Sequence, residues 1–140
     1  MAGVLVLGIA LVLAAVFGLY RKWADGRFKA SASSSDDAAL TADQLGGELG
    51  ERATMVEFSS AFCAPCRATR QILDRVTHDV EGVTLIEVDA EKNLELVRTL
   101  NIMRTPTVLI LDSRGAIAHR AAGQPTYADV VAALGSAIPG

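Results

Sequence analysis

Only two cysteines occur in this chain, and both lie in Phe62-Cys63-Ala64-Pro65-Cys66-Arg67. With no third cysteine, a disulfide framework tying distant segments together is excluded. Closing so short a loop also gives little of the entropic gain expected of a structural staple. A structural zinc site normally takes four ligands. The two histidines, His78 and His119, are far apart without the short spacing of a finger, and each reads as an ordinary surface or helix-end residue. A basic excess is missing too. Beyond residue 30 stand nine basic and fifteen acidic residues, a net charge near −6. That argues against nucleic acid, which requires a basic surface, and against a domain lying flat on anionic lipid. No internal repeat is visible, so the expectation is one core of about a hundred residues.

The cysteine pair suits chemistry better than scaffolding. Thr54-Met55-Val56-Glu57-Phe58 ahead of it is apolar and β-branched and reads as a buried strand. Arg67 to Val76 behind it has apolar residues at helical spacing and no glycine. Cys63 therefore falls at a strand-to-helix junction, where free N–H groups and the helix dipole favour a thiolate. Cys66, one turn further, is expected to be more buried and placed to attack a mixed disulfide formed by Cys63. Pro65 suits a first helical turn, where its missing N–H is not needed. Glu57 is an acid within an apolar strand; buried, it would have a raised pKa and could take a proton from the second thiol. The alternative is a Glu57 that points to solvent from a strand end. Asn101-Ile102-Met103-Arg104-Thr105-Pro106-Thr107 leads into the apolar strand Val108–Leu111.

From about Leu40 onward the chain resembles a thioredoxin. The resemblance rests on Val56-Glu57-Phe58 before Cys63-Ala64-Pro65-Cys66, then Val88-Asp89-Ala90-Glu91-Lys92-Asn93, Arg104-Thr105-Pro106-Thr107 and Gly123, in that order and spacing. It implies Cys63 as the attacking thiol, Cys66 as the resolving one, and Glu57 in place of the family's buried aspartate. It also implies a cis Thr105–Pro106 bond facing the disulfide, with Phe62, Ala64, Pro65, Thr105 and Gly123 at the substrate-binding surface. The implied partners are protein thiols or disulfides and an upstream thiol reductase or oxidase, acting on a monomer with no cofactor beyond the Cys63–Cys66 disulfide. Several positions depart from the family pattern. Ser59 and Phe62 stand where tryptophans are usual, Ala64 replaces a glycine, Leu85 replaces the lysine that partners the acid, and Thr105 replaces an isoleucine. The competing readings are a Cu(I)-binding protein using the two soft thiolates and a redox-inert adaptor. The intact cysteine pair, Glu57 and Pro106 speak against the adaptor.

Ala2 to Tyr20 carries no charge and approaches the roughly twenty apolar residues needed to span a bilayer. Tyr20 and Trp23 follow at interface depth, with Arg21, Lys22, Arg27 and Lys29 just beyond. A cleaved signal peptide is the competing reading, but it wants basic residues before the run and a nearby cleavage site; Ala30-Ser31-Ala32 lies too far downstream. The expectation is a single-pass anchor over 2–20, a basic juxtamembrane segment and flexible linker over 21–37, and a thioredoxin-like domain over 38–140. Placement of basic residues after the span favours a domain facing the cytoplasm, the alternative being the outer compartment.

Within the domain, Thr41-Ala42-Asp43-Gln44 is a capping box expected to open a helix toward Leu49. Strands are expected at 54–58 and 83–88, a helix at 94–100, and a hairpin of 108–111 with 116–120 around Asp112–Gly115. Thr126 caps a last helix through Val130, Val131 and Leu134. The fold expected is a three-layer α/β/α sandwich on a mixed sheet, preceded by one transmembrane helix.

Overall fold

A computed structural model describes residues 1–30 and 39–140. The apolar N-terminal run forms α1 (Ala2–Ala24), none of whose residues is buried. Its mean hydropathy of 2.7 and its length fit a membrane span or a signal sequence. Then come β1 (Lys29–Ala30), α2 (Ala42–Leu45), β2 (Ala53–Ser59), α3 (Ala64–Asp79) and β3 (Val83–Asp89). The chain continues through α4 (Leu94–Thr99), β4 (Thr107–Asp112), β5 (Ile117–Ala122) and α5 (Tyr127–Ala137). The five strands form one sheet in the order β1-β5-β4-β2-β3. Among the described residues only β2 and β3 run parallel, joined through α3; the other pairs are antiparallel.

Strand alternation sorts the core into two halves. Val56 and Phe58 of β2, with Leu109 and Leu111 of β4, face one side and pack with Leu45 of α2 and with Leu96 and Val97 of α4. Ala53 and Met55, with Val108 and Ile110, face the other and pack against Leu73 and Val76 of α3 and Val130 and Leu134 of α5. These are the three layers of the expected sandwich. On its sheet-facing side α3 buries Cys66, Thr69, Leu73 and Val76, a helical repeat with no glycine to weaken it. Glu57 belongs by parity to the α3 face.

Two segments differ from expectation. α2 stops at Leu45, short of Leu49, because Gly46 takes a left-handed φ of 71° and closes the helix there. The stretch 21–37, expected to be a basic linker, is partly built into the sheet: Lys29 and Ala30 pair with Arg120 and His119. Gly26 N–H donates to the Ala122 carbonyl at 2.8 Å, and Phe28 packs onto the α3–α5 half of the core. Ser31–Asp37, expected to be a flexible tether, lies outside the described residues.

Candidate active site

Cys63 is the N-cap of α3, and its Sγ accepts the Cys66 backbone N–H at 3.2 Å. That is the place of a capping oxygen, so the sulfur meets the otherwise orphaned donors at the positive end of a helix dipole. Pro65 sits in the first turn, where no donor is lost. Cys63 and Cys66 are joined as a disulfide with Cα atoms 5.2 Å apart. Cys63 is half-buried and Cys66 buried, the asymmetry expected of an attacking and a resolving thiol. Phe62, at a φ of 58°, projects fully into solvent beside them, and Ala64 is exposed at the start of α3.

The Thr105–Pro106 peptide is cis. Thr105 Oγ1 lies 4.0 Å from Cys63 Sγ and shares a 2.9 Å hydrogen bond with Ser60 Oγ. Gly123 N–H donates to the Pro106 carbonyl at 2.7 Å, and its φ of 95° suits glycine. Residues from the β2–α3 junction and the turn before β4 thus meet at Cys63, and Gly123, just after β5, is bonded to that turn.

Glu57 is fully buried, and neither carboxylate oxygen has a hydrogen-bond partner among the described residues. Burial pushes its carboxyl from 4.5 up to about 7; the Arg70 guanidinium pulls it down, and Asp74 pushes it up. Arg70 Nε is 4.0 Å from Glu57 Oε2. The same guanidinium pairs with Glu87, which also accepts the Ser59 hydroxyl at 2.7 Å. Arg70 lies one turn after Cys66 on α3. Together with Cys63, Cys66, Ser60 and Glu87 it lines a cavity of about 100 Å³, room for several waters. A cation therefore does reach the buried acid, from α3 and not from β3, where Leu85 packs apolar.

Ser60, Arg70 and Glu87 escape sequence reasoning. Glu87 carried a signal: Val56-Glu57-Phe58 and Ile86-Glu87-Val88 set an acid at the same place in two strands, and the register pairs Glu57 with Glu87. The histidines lie elsewhere. His78 is in the last turn of α3, opposite Cys63, and His119 Nε2 is 2.6 Å from Ser136 Oγ. Among the described residues no cluster of three His, Cys, Asp or Glu side chains could hold a metal ion.

A thioredoxin family model matches residues 38–135. Thioredoxin domain-containing protein 2 of Homo sapiens is 42% identical over 60 residues, covering 43% of this chain and 11% of that protein. Thioredoxin of Synechocystis is 28% identical over 75 residues, covering 53% of this chain and 67% of its own. The chain spans about a tenth to a half of the length of three curated relatives it matches, at 11%, 12% and 50%. Chloroplastic thioredoxin z superposes with a TM-score of 0.59 at 21% identity, covering 70% of this chain and 90% of that one. Spinach chloroplast thioredoxin f gives 0.56 at 21%, covering 63% and 78%. Likeness at that identity speaks for the fold, and the family match takes in most of the chain, cysteine pair included. The chain belongs to the thioredoxin family.

Proposed function

We propose that the chain is a membrane-tethered thiol–disulfide oxidoreductase that exchanges electrons with protein substrates through Cys63 and Cys66. One observation carries this reading: Cys63 Sγ receives the Cys66 N–H at the start of α3, half-buried beside a buried partner sulfur. In the reducing direction the Cys63 thiolate attacks a substrate disulfide. One substrate sulfur leaves as a thiolate and takes a proton from water; the other stays bonded to Cys63. Cys66 then passes its proton to the Glu57 carboxylate and attacks Cys63 Sγ. The Cys63–substrate bond breaks, and the second substrate sulfur leaves and is protonated. Two electrons have moved to the substrate, and the domain holds the Cys63–Cys66 disulfide. Run backward, the same steps oxidise a dithiol.

Glu57 suits the proton step because a base titrating near neutral pH can both take and return a proton there. Thr105 borders Cys63 and, with cis-Pro106, Gly123, Phe62, Ala64 and Pro65, offers a surface for a substrate segment. The chemistry needs no bound cofactor or metal, since the disulfide itself carries the electrons; an upstream thiol reductase or oxidase resets it. The domain acts as a monomer. α1 serves as the anchor: it is uncharged through Tyr20, unburied, and followed by a basic cluster that favours the cytoplasmic side.

The test is trapping. Cys66→Ser should accumulate mixed disulfides through Cys63, whereas Cys63→Ser should not; trapping by Cys63→Ser alone would reverse the roles. Protease protection of the domain in intact spheroplasts decides the side: digestion from outside would refute the cytoplasmic assignment.

A further inference from the structure

The segment after α1 is fastened to the end of the domain that carries the cis-proline. Asp25 Oδ1 pairs with Arg104 Nη2 at 3.0 Å, on the residue before Thr105. Gly26 N–H bonds the Ala122 carbonyl, and Lys29–Ala30 extend the sheet along β5. At Gly26, with a φ of 76°, any Cβ would collide with the Gln124 carbonyl, so the backbone lies flush against the 123–125 loop. Arg27 stacks over Trp23, 4.2 Å from the ring centre, stiffening the exit from the helix. α1 is therefore joined to the domain by a short, pinned stretch, and the segment 31–38 follows that attachment.

The consequence is a cleft of about 840 Å³ between the two parts. One wall is the end of α1, at Gly18, Arg21, Lys22 and Asp25. The other includes Pro65, two residues past Cys63, and Thr105, Pro106 and Gly123. Its size is in the range of ligand-binding clefts. From Gly18 to Asp25 a helix advances about 10 Å, which starts inside the apolar run and ends beyond Tyr20 and Trp23, at the depth of lipid headgroups. An extended chain covers that distance in about three residues.

Building on the tethered-exchange reading, we propose that this cleft receives the cysteine-bearing segment of a membrane-spanning substrate, extended, within the first few residues after it leaves the bilayer. The basic wall at Arg21 and Lys22 sits against headgroups, and the small wall at Pro65 and Thr105, backed by the buried Pro106 and Gly123, accepts an extended chain. A disulfide sulfur held there lies beside Cys63. Two electrons pass from the Cys63–Cys66 dithiol to the substrate disulfide, by the steps already given.

The test uses the full chain, reduced and freed of reductant, in vesicles with synthetic single-span peptides. Each peptide carries one cysteine as a mixed disulfide with a chromophoric thiol, about three, ten or twenty residues beyond its apolar span. All share the bilayer with the enzyme, so co-localisation is constant and only position varies. Release of the chromophore should fall at least about tenfold from the nearest to the farthest cysteine, which lie about 55–60 Å apart when extended. A flexible glycine-serine insertion between Ala24 and Asp25 should flatten that profile while leaving exchange with a water-soluble mixed disulfide unchanged. A flat profile for the natural chain, or an undiminished one after the insertion, would overturn the proposal alone. Absence of exchange with the soluble disulfide would remove the underlying activity and the proposal with it.

Discussion

Replacing Glu57 by glutamine removes a buried acid whose ionisation the fold resists. The folded carboxyl titrates near 7, against 4.5 when solvated. Below pH 4.5 both states hold the proton, and the group contributes no pH dependence. Between 4.5 and 7 the unfolded chain gives up the proton and the folded chain keeps it, so rising pH favours unfolding. Above 7 the folded group ionises too and the penalty levels off. A raised carboxyl pKa thus destabilises the fold at neutral and alkaline pH, the reverse of an ion-paired acid. The gap of about two and a half pH units at about 1.4 kcal/mol each amounts to about 3 kcal/mol. Because Glu57 is fully buried, solvent screening does not reduce that figure. Glutamine brings its own unpartnered amide, a cost that does not change with pH. The stability of Glu57→Gln relative to the natural chain should therefore rise by about 3 kcal/mol between pH 4 and 8. With urea slopes of about 1–3 kcal/mol per molar, the relative midpoint should move by about 1–3 M. Urea titrations followed by circular dichroism on both proteins, oxidised so that no thiol titrates, measure it. A difference that stays flat across this range would mean that the Glu57 carboxyl titrates normally, and the burial argument would be wrong.

Other outcomes follow from the same geometry. Glu57→Gln should slow resolution of a Cys63 mixed disulfide by about a hundredfold at neutral pH, and the initial attack much less, in stopped-flow exchange; equal losses in both steps would remove the proton-acceptor role. Arg70→Met deletes the group that pulls the Glu57 carboxyl down, so the pH midpoint of the resolving step should rise; an unchanged or lower midpoint contradicts the 4.0 Å contact. Asp112→Ala strips the β4–β5 turn of a carboxylate that accepts the Arg114 and Ala116 N–H groups at 2.8 and 3.0 Å. That loss should cost about 1–3 kcal/mol in denaturant titration, and no cost would show the turn held by backbone alone.

Much of this architecture is legible in the chain because the signals are local. The strand before Cys63, the helix after it, the capping boxes at Thr41 and Thr126, and the Asp112–Gly115 turn each depend on neighbours within a few positions. The capped sulfur of Cys63 follows from its place at a strand-to-helix junction. What stays hidden depends on register and tertiary pairing. Lys29 and Ala30 carry no strand signal of their own; they are a strand only because β5 offers an unpaired edge beside them. Arg70 reaches Glu57 and Glu87 only because parallel pairing of β2 with β3 sets the two acids side by side under α3. The bond between Ser60 and Thr105 spans a sequence separation of 45, beyond any local pattern.

The most direct measurement is thiol alkylation of the reduced chain at pH 7, with the modified residue located by peptide mass. Capping by the N-terminal amides of α3 favours the Cys63 thiolate, so Cys63 should react at least about ten times faster than a cysteine in an unfolded peptide, and Cys66 slowly. If neither thiol outpaces the unfolded peptide, or if Cys66 is the fast one, the helix start does not activate Cys63 and the account fails.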